Sequence, residues 1–565
     1  MMKQDTDKTY CRILLDILAE KGVTDVVCSP GSRNTPLLLG LSARDNFRKH
    51  FVVDERSAAF MALGLSLVSQ QPVALVCTSG TALLNYSPAI AEAYYQGLPL
   101  IVISADRPEQ WIDQDDSQTL RQNEALANFV KKSYSIPAYG DDNPELRWYV
   151  NRIVNDAVLS AVSGKKGPVH INISLSEPLG TQGRFSDYPQ RLINLIEGDS
   201  IGNKEIIKNM AEEISNSKVL LVAGFMLPDA GLQKAISIFS RRPNIAVMVE
   251  TISNLHLKAF DYSVDSVLTN LNEEQLLKLK PDLVITIGGA LVSRKLKEYL
   301  RKNCKDIKHW AIGYNHTTVD PFMSLSLRID IDPVRLFRNL NSALNKKKVA
   351  KNVENYQQSW EETRLKSLAV KQLYIESTAW SELRAFDIIL KKVPGNYNLF
   401  LSNGTAIRYA QIISYSLPHA SYCNRGVSGI DGSVSTAIGG SLAYKGDSLL
   451  ITGDLSFSYD IGAFNIQETP ERFKIIVMDN QGGGIFRFIS STSGLQELEE
   501  YFCQPPKLPL KLLAEGYDWE YYEANDEKSL ETSLKSLFAS KRKSILRVVC
   551  DGKLSAEILK NYMKI

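Results

Sequence analysis

Short apolar runs recur along the chain, and each ends in glycine, serine or a charged turn. Val26-Val27-Cys28 runs into Ser29-Pro30-Gly31, Val73 to Cys77 into Thr78-Ser79-Gly80, and Leu100 to Ile103 into Ser104-Ala105-Asp106-Arg107-Pro108. Between them lie stretches of helical character, such as Ala58 to Val68 and Pro88 to Tyr95. Uninterrupted apolar runs of strand length, separated by helices, predict parallel strands buried on both faces, an α/β fold.

The pattern occurs three times. The first block closes with Val169 to Ile173, and the polar stretch Gly180 to Arg191 follows. The second contains Val219 to Ala223, Ile245 to Val249 and Leu283 to Ile287, and ends near Leu327 to Ile331. A lysine-rich, poorly apolar stretch, Asn345 to Lys366, reads as a linker with some helix. The third block holds Leu399 to Leu401, Leu449 to Ile451, Ile475 to Met478 and Ile545 to Val549. The expected architecture is three doubly wound, mostly parallel-sheet domains at 1–185, 200–340 and 370–565. A length of 565 residues agrees, since it exceeds one ordinary domain.

Charge removes some functions from consideration. Lys and Arg number 65 against 63 Asp and Glu, a net charge of +2. No global basic field points to nucleic acid or an acidic membrane surface. The seven cysteines (Cys11, Cys28, Cys77, Cys304, Cys423, Cys503 and Cys550) are scattered without a C-x-x-C pair. Neither a zinc site nor a disulfide framework is indicated, and a cytoplasmic location is expected. Residues Met1 to Tyr10 lack the apolar core of a signal peptide. No apolar run approaches the ~20 residues of a membrane helix, so no integral membrane association is expected.

In open α/β sheets ligands bind beyond the carboxyl ends of strands, so the strand-end loops should carry the chemistry. After Leu449-Leu450-Ile451 comes Gly453-Asp454-Leu455-Ser456, and after Ile475 to Met478 comes Asp479-Asn480-Gln481-Gly482-Gly483-Gly484. Asp454 and Asn480 are 26 residues apart, room for one helix crossing between neighbouring parallel strands. A carboxylate, an amide oxygen and a backbone carbonyl are hard ligands suited to Mg²⁺, and the glycines admit a diphosphate close to the backbone. The bland alternative is a pair of unrelated strand-end turns.

Gly453-Asp454 followed by Asn480 resembles the diphosphate and metal motif of the thiamine-diphosphate enzymes. That resemblance implies that Asp454, Asn480 and the Gly482 carbonyl hold Mg²⁺, or Mn²⁺ in its place. It also implies a pyrimidine-binding domain at 1–185, a central Rossmann-like domain at 200–340 and a diphosphate-binding domain at 370–565. The family usually reads Gly-Asp-Gly and often Asn-Asn, where this chain has Leu455 and Asp479-Asn480. The family also places a poorly solvated glutamate beside the pyrimidine N1′, and Phe51-Val52-Val53-Asp54-Glu55 supplies it. A carboxyl group there favours the imino tautomer, which takes the thiazolium C2 proton, so Glu55 would be catalytic. The local alternative is a surface glutamate capping the helix from Ser57. Further cofactor contacts implied by the resemblance are Thr78, Gly80, Asn85, Asn403, Gly404, Gly429, Ile430, Asp431, Gly453, Leu455, Ser456, Gly483, Ile485 and Phe486. Ile430 fits the bulky residue that wedges under the cofactor; a plain core isoleucine is its competitor.

Ser29-Pro30-Gly31-Ser32-Arg33-Asn34-Thr35-Pro36, Thr78 to Ala82, Ser104 to Pro108 and Asn424-Arg425-Gly426-Val427-Ser428-Gly429-Ile430-Asp431-Gly432 narrow the resemblance to the menaquinone-biosynthesis branch of the family. That branch decarboxylates 2-oxoglutarate and adds the four-carbon unit to isochorismate by 1,4-addition. Both substrates carry two carboxylates, which call for forked arginines. The resemblance implies a substrate site of Ser32, Arg33, Arg107, Gln118, Arg408 and Arg425. Arg408 and Arg425 would take 2-oxoglutarate. Arg33, Arg107 and Gln118 would take isochorismate, with Arg294 or Lys295 nearby. Gln118 would also assist proton transfer, and Phe488 and Ile489 would supply apolar wall. Ser117 and Arg487 depart from the branch's usual residues.

None of the six histidines (His50, His170, His256, His309, His316, His419) adjoins another or falls in these loops, which argues against a simple decarboxylase with paired histidines. The middle block has Gly288-Gly289 but no G-x-G-x-x-G, so no dinucleotide is expected. The resemblance implies a homodimer or homotetramer with the active site between subunits. Two other readings stand beside it: another carboligase or 2-oxo acid decarboxylase of the acetolactate-synthase type, and a non-catalytic sensor or scaffold.

Overall fold

The computed structural model describes the chain except residues 1–3, 139–142, 185–188, 197–203, 257–263, 270 and 414–419. His419 and parts of the first interdomain stretch lie outside the described residues. Among the described residues three large sheets are present. The first orders its strands as Arg48–Phe51, Asp25–Cys28, Val73–Cys77, Leu100–Asp106, Val169–Ser174 and Ser133–Ile136, every neighbour parallel. The second orders Ile245–Val249, Val219–Ala223, Leu283–Ile287, Lys308–Ile312 and Leu325–Ile329, again parallel. The third runs Ser421–Tyr422, Asn398–Leu401, Ser448–Gly453, Phe473–Asp479, Ser544–Val549 and Glu520–Ala524. A small antiparallel pair joins Gln4–Thr6 to Gln182–Arg184.

The apolar runs are the central strands because a strand covered on both faces has no polar side to show. Val73–Cys77, Leu100–Asp106 and Val219–Ala223 are buried at every residue. The final strand of the second sheet is Leu325–Ile329, two residues earlier than its apolar run suggests. The stretch read as a linker is partly a long helix, Tyr356–Ser377, that buries only Tyr356, Trp360, Lys371 and Ile375.

By compactness the chain divides into two units: residues 1–197, 424–445 and 459–473, and residues 198–423, 446–458 and 474–565. The three sheets suit the limits 1–185, 200–340 and 370–565, which we propose as the domain boundaries.

In the first unit the helix Glu55–Ser69 packs against Ser433–Leu442 at nearly backbone distance. A Cβ on Gly64 would lie 2.0 Å from the Thr436 carbonyl oxygen, and one on Gly439 2.0 Å from that of Met61. Only glycine lets two helices approach this closely. The second unit holds the second and third sheets, apart from Phe473 at the head of one strand.

Candidate active site

The edge of the third sheet presents Asp454 and Asn480 on adjacent strand ends within one unit. The strand Ser448–Gly453 leads directly into a short helix, Asp454–Tyr459, and Phe473–Asp479 leads into Asn480. The Asp454 carboxylate accepts the Leu455 amide at 2.7 Å and the Gly482 amide at 2.7 Å. Gln481, Gly482 and Gly483 take φ values of 61, 86 and 65°. Two glycines make this left-handed turn cheap, and it aims the Gly482 N–H at the carboxylate. A Cβ on Gly482 would also strike the Gln504 carbonyl oxygen at 2.2 Å.

Asn480 is buried, and its Nδ2 donates to Glu382 Oε1 at 3.0 Å. Its Oδ1 is buried without a hydrogen-bond partner. The Gly482 carbonyl accepts from Arg487 Nη1 at 3.1 Å, and Arg487 is forked onto Glu499 at 3.0 and 2.9 Å. Arg487, the departure noted in the sequence, therefore holds the Gly482 loop and leaves the carbonyl one lone pair. Burial lifts the Asp454 carboxyl to about 6, against the two amides that lower it, and Asp479 adds to the rise. Burial likewise lifts Glu382 to about 7, with the Asn480 amide opposing and the Asp454 charge adding.

Two neighbouring buried carboxyls stand beside an unpartnered buried amide oxygen, and burial disfavours the charge of both carboxyls. Among the described residues no group of three His, Cys, Asp or Glu side chains could hold an ion. Carboxylate, amide and carbonyl oxygens remain, and that set fits a hard divalent cation such as Mg²⁺.

The remaining cofactor candidates are distributed over both units. Asn403 and Gly404 follow Asn398–Leu401, with Asn403 Oδ1 accepting from the Cys423 thiol at 3.5 Å. Gly453 ends its strand, Leu455 is half-buried and Ser456 buried. Gly483 caps the short helix Gly484–Phe488, which carries half-buried Ile485 and Phe486. Gly429, Ile430 and Asp431 lie in the other unit, before the helix Ser433–Leu442. Ile430 is 39% exposed, so it is not a plain core residue.

Glu55 is the first residue of its helix and is half-buried. The cap is Asp54, which accepts the Arg56 and Ser57 amides at 2.9 and 3.2 Å. Helix capping therefore does not account for Glu55.

Adjacent strand ends of the first sheet gather Arg33, Thr78, Gly80, Arg107 and Gln118. The Arg33 amide donates to Thr78 Oγ1 at 3.3 Å, and its buried guanidinium reaches the Leu175 carbonyl at 3.1 Å and Glu177 at 3.2 Å. Burial and the charge of Arg107 lower the Arg33 pKa. Arg107 Nη2 donates to the Ser117 carbonyl at 2.7 Å. Gln118 has a φ of 55° and stacks its backbone on Gly80, where a Cβ would lie 3.4 Å from its Cα. Ser32 is exposed, and exposed Asn85 turns its Nδ2 back to the Thr81 carbonyl at 3.1 Å.

In the second unit a cavity of about 250 Å³ is lined by Asp265, Arg294, Lys295, Arg408, Phe488 and Ile489. It groups Arg408 with Arg294 and Lys295; Arg425 belongs to the other unit. Arg294 is exposed and tied to Glu298 at 2.7 Å.

Several residues that build these sites escaped the sequence reading. Glu92 accepts the Gly426, Val427 and Ser428 amides at 2.5, 2.6 and 3.4 Å, which shapes the loop carrying Arg425. Gln122 Oε1 accepts the Gly80 amide at 2.7 Å. Glu250 accepts the Val292 and Ser293 amides at 2.7 Å each, ahead of Arg294. Only the position of Glu250 directly after an apolar strand run could have signalled its role.

Two family models match the chain: the thiamine pyrophosphate enzyme N-terminal TPP binding domain over residues 8–126, and the C-terminal TPP binding domain over residues 404–548. They cover the first-sheet cluster and the Asp454–Asn480 edge. Curated relatives match nearly end to end. A 2-succinyl-5-enolpyruvyl-6-hydroxy-3-cyclohexene-1-carboxylate synthase of Porphyromonas gingivalis is 38% identical, covering 99% of this chain and 97% of its own length. Synthases of the same name from Flavobacterium johnsoniae and Cytophaga hutchinsonii are 36% and 38% identical, covering 98% and 97% of this chain and the same shares of their own. With thiamine-pyrophosphate domains at both ends and synthase relatives along its whole length, the chain belongs to the 2-succinyl-5-enolpyruvyl-6-hydroxy-3-cyclohexene-1-carboxylate synthase family of thiamine-diphosphate enzymes.

Proposed function

We propose that the chain decarboxylates 2-oxoglutarate and adds the remaining four-carbon unit to isochorismate, giving 2-succinyl-5-enolpyruvyl-6-hydroxy-3-cyclohexene-1-carboxylate for menaquinone biosynthesis. The observation that carries the site is the buried, unpartnered Asn480 Oδ1 beside a buried Asp454 whose loop is closed onto Gly482. When bound, thiamine diphosphate supplies the electron sink that lets a 2-oxo acid lose CO₂ and pass on its acyl unit.

The protein's part is positioning and proton management. Asp454, Asn480 Oδ1 and the Gly482 carbonyl would hold Mg²⁺ or Mn²⁺ and with it the diphosphate. Glu55 would hold a proton at the pyrimidine N1′. Ile430 would support the cofactor from below. Arg408 and Arg425 would neutralise the 2-oxoglutarate carboxylates. Arg33, Arg107 and Gln118 would orient isochorismate, with Arg294 or Lys295 beside it and Ile489 as apolar wall. A homodimer or homotetramer in the cytoplasm, sharing active sites between subunits, completes the reading. Among the described residues no helix is long and apolar enough to cross a membrane.

The names of the curated relatives favour this reading over a carboligase of the acetolactate-synthase type. The test follows isochorismate absorbance in the presence of thiamine diphosphate and Mg²⁺. Loss of absorbance only when 2-oxoglutarate is also present is the expected result. CO₂ release from pyruvate without consumption of isochorismate would overturn it.

A further inference from the structure

An asparagine is an ambiguous metal ligand. Its two terminal atoms are nearly the same size, and only one can face a cation. Something must therefore choose which way the Asn480 amide points. Glu382 is the group packed against it, 98 residues away in the chain and in the same unit. Glu382 is buried at 2% exposure, at the first position of the helix Glu382–Lys392. Its backbone is held in place, since its amide donates to Ser555 Oγ at 3.1 Å.

The three side chains hydrogen-bonded to its carboxyl all donate to it. Asn480 Nδ2 donates to Oε1 at 3.0 Å, Thr405 Oγ1 to Oε1 at 3.5 Å, and Tyr409 Oη to Oε2 at 3.5 Å. Facing such an acceptor, the amide can satisfy itself only with Nδ2 inward. Oδ1 is then the atom left over, and it is the buried oxygen without a partner. The reverse orientation would set two oxygens against each other and leave a buried N–H₂ toward the cation, a doubly unfavourable arrangement.

We propose that Glu382 is the positioning residue of the metal site, fixing the Asn480 amide so that Oδ1 is presented to a divalent cation. The proposal rests on the reading of Asp454, Asn480 and Gly482 as the metal site. Partners behind a metal ligand are typically worth about 10- to 100-fold in metal affinity. Thr405 and Tyr409 are the secondary donors that keep the carboxyl turned toward Asn480.

The test measures thiamine-diphosphate binding to the full-length protein by titration calorimetry across a Mg²⁺ series. Glu382→Leu removes the acceptor and should raise the Mg²⁺ concentration for half-maximal binding by about tenfold or more. Asn480→Asp offers two equivalent oxygens and needs no orientation. The double variant Glu382→Leu/Asn480→Asp should therefore return to within about threefold of wild type, a rescue that general damage to the fold would not show. Glu382→Gln keeps one acceptor oxygen but admits both amide pairings. It should shift the half-point by a few-fold, and it carries the test if the leucine variant does not fold. Wild-type Mg²⁺ dependence left unchanged by these Glu382 substitutions would overturn the proposal alone, as would a double variant no better than Glu382→Leu. Wild-type cofactor binding indifferent to Mg²⁺ would overturn the metal-site reading and the proposal together.

Discussion

The Gly482 amide donates to the Asp454 carboxylate at 2.7 Å and joins two loops that lie 28 residues apart in the chain. That bond turns two strand-end turns into one site. It also makes Asp454 a structural member of the loop, so substitutions there carry two effects that must be separated. Asp454→Asn keeps one acceptor oxygen, enough for the Gly482 amide but not also for that of Leu455, and loses the charge; Asp454→Ala loses both acceptors. Both variants should lose Mg²⁺-dependent retention of thiamine diphosphate. Asp454→Ala should also loosen the loop, by about 1–3 kcal/mol of stability, and Asp454→Asn by less. Calorimetry showing wild-type affinity in Asp454→Asn would count against the metal site.

Glu55 heads its helix while Asp54 does the capping, so Glu55→Gln should leave thermal stability near wild type. Cofactor and metal should still bind. The carboligation rate should fall by about 100-fold or more, because glutamine cannot manage a proton at N1′. Steady-state rates together with a binding isotherm decide this, and undiminished turnover would remove Glu55 from the catalytic group.

Arg408 and Arg294 line the same cavity but differ in burial, Arg408 being half-buried. Arg294 is exposed and spends its guanidinium on Glu298. Arg408→Ala should raise the KM for 2-oxoglutarate by about tenfold or more, and Arg294→Ala by clearly less. Equal effects, or a larger effect at Arg294, would reassign the anion-binding role.

The helix pair built on Gly64 and Gly439 should tolerate no side chain. Gly64→Ala sets a methyl 2.0 Å from the Thr436 carbonyl, which cannot move without the helix. A loss of about 1–3 kcal/mol is expected. Gly516→Ala, where nothing lies within 4 Å of the new Cβ, is the control. It should stay within about 0.5 kcal/mol of wild type in denaturant unfolding.

His50 sits between two carboxylates, with Nδ1 2.5 Å from Glu468 and Nε2 3.2 Å from Asp25. Burial opposes its charge, but the Asp25 and Glu468 hydrogen bonds prevail and its pKa is raised above 6.5. Burial also works against Asp25, yet His50 and Arg48 hold that carboxyl at about 2. A raised histidine stabilises fully below its unfolded value and loses that contribution as pH rises through the folded value. Thermal midpoints of wild type should therefore fall relative to His50→Gln as pH rises above 6.5. The depressed Asp25 acts at the other end, losing its contribution as pH falls from 3.8 toward about 2. Wild-type and variant curves that stay parallel as pH rises above 6.5 would rule out the His50 contribution.

The three-sheet architecture was legible in the apolar runs because a strand covered on both faces must be apolar along its length. Val73–Cys77, Val219–Ala223, Ile245–Val249 and Leu283–Ile287 coincide with their runs residue for residue. Strands with weaker patterns were not. Ser421–Tyr422 is two residues long, and the polar strand Arg48–Phe51 buries only His50 fully. The helix Tyr356–Ser377 was legible only as some helix within a linker because its exposed faces dominate its composition.

The motif loops around Asp454, Asn480 and Arg33 were legible for a different reason: their residue types, glycines above all, stand in fixed local spacing. What the tertiary structure alone decided is how those loops are held and aimed. Glu382 on Asn480, Glu92 on Gly426 and Gln122 on Gly80 act across 98, 334 and 42 residues. Each is an ordinary polar residue in an ordinary helix or loop, and nothing local distinguishes it from one facing water. Only burial beside a specific donor makes such a carboxylate or amide an orienting group, and burial belongs to the folded chain rather than to the sequence around the residue.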